Sequence, residues 1–162
     1  MKQRTTAPKG FTLIELMLVI LIIAILSGGS ISAYLTFNKS QSTGNDARNF
    51  AAEVYRVRTL AASLQYPTGC SSLKGYNLQS TSINNELTGL TLTVDCDPAD
   101  VTNATTEILK SSVFSQAFNL TFLPGSGYLS SGADTIVTIT NKSDAQVSKT
   151  VTVGAYGVVT GN

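Results

Sequence analysis

The sequence predicts an α+β fold, and three features carry that reading. An apolar run with one polar break extends from Phe11 to Leu35 of the 162-residue chain. Beyond it, Ala47, Phe50, Ala51, Val54, Val57, Ala61 and Leu64 recur at steps of three and four, the spacing of an amphipathic helix. From about residue 70 onward, apolar residues alternate in twos between turn signals, the spacing of antiparallel strands. Together they predict one helix over about residues 11–64, its second half packed on an antiparallel sheet.

The first element is FTLIELMLVILIIAIL, residues 11–26, followed by Ser27-Gly28-Gly29-Ser30 and then Ile31 to Leu35. At 1.5 Å per residue, a helix over 11–35 is about 38 Å long, enough to cross a bilayer core of ~30 Å. Lys2, Arg4 and Lys9 precede it, and the first basic residue after it is Lys39. The positive-inside rule keeps the short arm in the cytoplasm and puts everything beyond about residue 36 outside. A secretory signal peptide also begins basic and apolar, with Gly28-Gly29-Ser30 as its cleavage region, and a plain signal anchor is a further reading. Glu15 counts against both. A carboxylate in a membrane helix costs on the order of 2.5–3.5 kcal/mol and usually has a function and a partner.

Lys9-Gly10-Phe11-Thr12-Leu13-Ile14-Glu15-Leu16, opening onto that apolar run, resembles the class III signal of type IV pilins and pseudopilins. The resemblance covers residues 9–35. It implies that a membrane prepilin peptidase cuts between Gly10 and Phe11 and N-methylates Phe11. Residues 1–10 would then be a cleaved leader, 11–36 a transmembrane and filament-core helix, and 37–162 an extracytoplasmic head. The implied partners are the peptidase, other copies or other pilins in a helical filament, and an inner-membrane assembly platform; no cofactor is implied. The physics agrees with a role for Glu15. Cleavage leaves an ammonium on Phe11 at the end of an apolar helix, costly to bury alone, and in a staggered bundle the Glu15 of one subunit neutralises the ammonium of its neighbour. An intramolecular pair is the competing arrangement, since four residues apart puts both groups on one helix face.

The chain departs from many pilins in lacking a helix-breaking proline near Ser32. Gly28 and Gly29 are expected to form a weak spot in its place, because each glycine costs roughly 1 kcal/mol relative to alanine in a helix interior. Close helix packing through small residues is the alternative use of the pair.

The amphipathic stripe continues the first helix to about Leu64, loosened near Gly44, with Arg48, Glu53 and Arg56 on its solvated side; Tyr66-Pro67-Thr68-Gly69 ends it. Leu90, Leu92, Val94 and Cys96 alternate with Thr91, Thr93 and Asp95 in one strand, and Phe114 to Leu123 reads as another with Phe118, Leu120 and Phe122 on one face. After the Pro124-Gly125-Ser126-Gly127 turn, residues 135–140 and 147–153 pair around Asn141-Lys142-Ser143-Asp144, and Val158-Val159-Thr160 is a short last strand. Outside the cytoplasm, Cys70 and Cys96 most simply form one disulfide, clipping the intervening loop to the 90–96 strand; free buried thiols are the alternative. In the last third, Phe122-Leu123-Pro124-Gly125, the 135–153 hairpin and Gly157-Val158-Val159 are loosely similar to H-type pseudopilins and FimT-like minor pilins.

Several function classes fall away on composition. With no histidine, His triads, His-ligated metals and His proton shuttles are excluded, and two cysteines do not make a four-thiolate zinc site, so no enzyme is expected. Asp95, Asp97 and Asp100 offer hard oxygens of the kind calcium takes, but not at the spacing of an EF-hand loop, and no metal site is assigned. Removing Lys2, Arg4 and Lys9 leaves 8 basic and 10 acidic residues, a charge of −2. Lys110, Lys142 and Lys149 are scattered without aromatic interleaving, so nucleic acid is not an expected partner. Asn38, Asn103, Asn119 and Asn141 match Asn-x-Ser/Thr, as chance allows in so Ser/Thr-rich a chain. The resemblance implies a structural subunit of a type IV pilus or of a type II secretion or competence pseudopilus; the alternatives are a membrane-anchored extracytoplasmic binding module that never polymerises and a DNA-binding minor pilin.

Overall fold

The computed structural model describes residues 10–103 and 105–161, and of residues 27–30 only the backbone. The chain divides after Phe37 into two units. A single helix, α1 (Leu13–Ala62), contributes to both. In the first unit its large apolar side chains are exposed throughout, from Leu13 to Leu26 and again at Ile31, Tyr34, Leu35 and Phe37. The weak spot expected at Gly28 and Gly29 falls on residues whose side chains lie outside the description. Helical geometry passes through Gly44 without the loosening expected there.

In the second unit α1 becomes the spine of the head. Thr43, Asp46, Ala47, Phe50, Val54, Val57 and Ala61 are buried, one face of a 3.6-residue repeat. Phe50, Val54 and Val57 are fully covered; each such side chain contributes roughly 1.5–3 kcal/mol. Leu64, expected to continue the stripe, is instead exposed. It holds a φ of 52° and closes α1 with a Schellman pattern, Leu64 N–H to the Ala61 carbonyl and Gln65 N–H to the Leu60 carbonyl, both 3.3 Å.

The single sheet expected on this spine is two. Among the described residues nine strands follow α1: β1 (Ser72–Ile83), β2 (Glu86–Asp97), β3 (Val101–Thr102), β4 (Thr106–Glu107), β5 (Ser112–Phe114), β6 (Asn119–Phe122), β7 (Thr135–Asn141), β8 (Asp144–Val153) and β9 (Val159–Gly161). One sheet runs β3-β2-β1-β6 with β4 also on β2, the other β5-β7-β8-β9, and every pairing is antiparallel. The stretch between the cysteines is largely a hairpin. β1 and β2 pair from Ser72↔Asp97 to Ile83↔Glu86 across Asn84 and Asn85, whose φ of 53° and 67° suit a two-residue turn. The one strand expected over 114–123 is likewise split: β5 belongs to one sheet and β6 to the other, and residues 115–117 between them are exposed. Phe118 joins the crossing to the spine, since Phe50, Phe114 and Phe118 meet edge to face at 5.0–5.4 Å. The β7–β8 hairpin turns on Lys142-Ser143 alone, with β8 starting at Asp144.

Buried polar contacts fasten the early part of the head helix to both sheets' connections. Asn141 Nδ2 donates to Thr43 Oγ1 at 3.0 Å, and the Asp46 carboxylate accepts the Lys110 and Ser111 N–H groups at 3.4 and 2.9 Å. Lys39 pairs with Asp144 at 3.1 Å and Lys142 with Glu86 at 2.6 Å.

Candidate assembly site

The residues singled out at the N-terminus lie where the chain enters α1. Gly10 and Phe11 precede the helix and both are exposed. A methyl group added at Gly10 would meet nothing within 4 Å, so packing does not require glycine there. Thr12 stands at the N-cap. Its Oγ1 accepts the Glu15 N–H at 3.3 Å, and its carbonyl accepts the Leu16 N–H at 3.2 Å. Glu15 is the acidic residue of the first turn, where a carboxylate faces the positive end of the helix dipole. The sequence reading passed over Thr12, although Thr-x-x-Glu before an apolar run is the spacing of a capping box. Among the described residues Glu15 makes no ion pair. This end therefore presents an exposed carboxylate on a capped helix start, next to the peptide bond singled out for cleavage.

The cysteines come together in the second unit. A disulfide joins Cys70, just ahead of β1, to Cys96 near the end of β2, with 5.4 Å between the Cα atoms. Close by, the three aspartates go separate ways. Asp97 pairs with Lys74 at 2.7 Å, and Asp100 Oδ1 accepts the Cys96 N–H at 3.0 Å. Asp95 is half-buried, and that burial, followed by the Asp100 charge, raises its carboxyl above the ordinary aspartate value against the pull of Lys74. Among the described residues no three His, Cys, Asp or Glu side chains are grouped to hold a metal. Of the scattered lysines, Lys142 is engaged by Glu86, Lys110 is exposed, and Lys149 lines a groove with Arg48.

Comparison with known proteins gives two findings. Residues 6–31 match the prokaryotic N-terminal methylation motif. The fold is similar to the crystal structure of the type IV minor pilin FimU of Pseudomonas aeruginosa, with a TM-score of 0.54 and 13% identity over 76% of this chain and 90% of that one. A second crystal form of the same pilin gives a TM-score of 0.49, again at 13% identity, over 72% of this chain and 90% of that one. No curated protein matches the sequence. A methylation motif leading into a pilin fold is what resemblance to the type IV pilin superfamily predicts, and this chain has both.

Proposed function

We propose that the chain is a structural subunit of a type IV pilus or of a type II secretion or competence pseudopilus, and not an enzyme. The observation that carries the reading is the methylation motif over residues 6–31 running directly into one helix whose later part is the packing spine of the head. Prepilin peptidase removes residues 1–10 and methylates Phe11. Because packing makes no demand for glycine at residue 10, the need for Gly10 belongs to the peptidase. The exposed apolar face of residues 11–37 lies in the inner membrane before assembly, being long and apolar enough to cross it, and in the filament core afterwards. The inner-membrane assembly platform handles the transfer, and the head stays outside the cytoplasm.

Glu15 then has two successive tasks. In the first turn it offsets the helix dipole. In the filament it receives the methylated ammonium of Phe11 from an adjoining subunit, so two groups that are costly alone in apolar surroundings become one hydrogen-bonded pair that sets axial register. A pair within one helix would fix no register between subunits.

N-terminal sequencing of the mature protein tests the reading. Methyl-Phe11 is expected, and an intact Met1 would end it in favour of a membrane-anchored binding module. The companion variant is Glu15→Ala, which leaves the Phe11 ammonium unpaired. Loss of one partner from a buried pair costs about 3–5 kcal/mol, so filament incorporation should fall roughly 100-fold or more. Incorporation equal to wild type would exclude the carboxylate from assembly.

A further inference from the structure

Among the described residues, two places on the head gather charges without an ion pair, and the two are of opposite sign. A groove of about 260 Å³ is lined by Gly44, Ala47, Arg48, Ala51, Lys149 and Gly161. Small residues and two cations make up this lining, and no carboxylate is among the described residues that line it. Neither Arg48 nor Lys149 has an acidic partner among the described residues; Arg48 Nη1 only donates to Asn45 Oδ1 at 3.3 Å. The neighbouring Lys39 and Lys142 are each taken by an acid.

The opposite charge sits where β2 ends and turns into β3: Asp95 is half-buried in the strand, and Asp97 and Asp100 are exposed in and beside the turn. Three carboxylates there have one lysine, Lys74, and Asp97 holds it. Asp95 and Asp100 are left without an ion pair of their own, and the Asp100 charge adds to burial in raising the Asp95 carboxyl above its ordinary value. Residues 97–100 are all exposed, so the turn stands free to enter a recess.

A chain does not satisfy itself. The groove is built on α1 around residues 44–51. The acidic turn is tied by Cys70–Cys96 and by the Ser71 N–H to the Asp97 carbonyl, 2.9 Å, to the segment that follows the end of α1. From Arg48 to the end of α1 at Ala62 the helical rise alone is about 21 Å, far beyond the reach of a side chain. Each copy thus offers a knob and a socket at different places. Contacts of that kind are heterologous, and repeated without closing they generate a helical polymer.

Resting on the filament reading above, we propose that the Asp95–Asp100 turn of one head docks in the Arg48–Lys149 groove of a second copy of this chain. The occupant follows from charge complementarity: the turn supplies the two uncompensated carboxylates that the two unpaired cations lack.

The test uses the full chain in the cells that make it. A photo-crosslinking amino acid replaces the exposed Ala99, and linked peptides are identified by mass spectrometry; incorporation into sheared filaments is scored separately. Linkage to residues 44–51 of a second copy is expected. Reversing the groove (Arg48→Glu with Lys149→Glu) or the turn (Asp95→Lys with Asp100→Lys) should each reduce linkage about tenfold or more, because like charges then face each other. The four substitutions in one chain should restore it. Formation of the Cys70–Cys96 disulfide checks folding; where a lysine variant fails that check, Asp95→Asn with Asp100→Asn replaces it and should also lose linkage. No linkage, linkage to a different protein or nucleic acid, or failure of the combined reversal to restore it would overturn the contact. A wild-type chain missing from filaments yet linked at residues 44–51 would sink the filament reading and leave the contact standing.

Discussion

Gly157 shows how closely one residue is specified in this head. Its φ is 96°, a left-handed value, and a Cβ there would stand 2.1 Å from Cζ of Arg58. Arg58 reaches across from α1 and donates from Nη1 to the Gly157 carbonyl, so the guanidinium and the glycine backbone occupy one another's space. Gly157→Ala should therefore lower stability by about 2 kcal/mol, part of it backbone strain of about 1 kcal/mol and the rest displacement of the arginine. Denaturant unfolding of the purified chain measures this, and a double-mutant cycle separates the parts. On an Arg58→Ala background the alanine should cost only the strain, about 1 kcal/mol. An undiminished penalty there would mean that the guanidinium is not what the methyl group meets.

At the scale of elements, the disulfide anchors the open end of the β1–β2 hairpin, where β1 begins and β2 ends 26 residues apart by way of their cysteines. Replacing both cysteines by alanine should lower stability by about 3–4 kcal/mol on the chain-entropy account of a loop this size. Thermal unfolding should shift down by roughly 10–15 °C; a shift of a degree or two would show that the hairpin persists in the unfolded chain. This element also marks where the sequence is hard to read. The N-terminal signal is legible because its content is local: a glycine, an aromatic, a glutamate and an apolar run in fixed order. The buried stripe of α1 is legible because one face repeats without interruption from Ala47 to Ala61. β1 is not. Lys74, Asn77, Gln79 and Ser80 dilute its apolar residues, and register shifts after Leu73 and Thr81 break the period of two. Only Asn84-Asn85, a visible turn signal, betrays the hairpin. The split between β5 and β6 is hidden for the opposite reason: Phe114, Phe118, Leu120 and Phe122 keep the even-numbered phase straight through the change of sheet. Thr12 was readable from its distance to Glu15, but the apolar run beside it dominates that region.

Taken as a whole, the head should respond to acid in two opposing ways, because its carboxylates are perturbed in opposite directions. Asp144 is held below the ordinary aspartate value, first by the hydrogen bond from Lys39 and then by the Gln146 N–H. A group whose folded value is depressed contributes stability above its unfolded value, and that contribution is lost as pH falls through the folded value. Asp95 is the reverse. Burial and the nearby Asp100 raise it, so its ionised form works against folding at neutral pH, and the handicap disappears once acid protonates it. The disulfide end should thus be relieved by acid while the end tied by Lys39 is weakened. Thermal unfolding at about pH 7 and about pH 2.5, on either side of the carboxylate range, separates the two. Asp144→Asn should lower the midpoint at the higher pH, and its difference from wild type should narrow at the lower one as acid protonates the native carboxyl. Asp95→Asn should raise the midpoint at the higher pH and likewise merge with wild type in acid. Were both variants to shift in the same direction at neutral pH, the opposed perturbations would not be what governs the acid response.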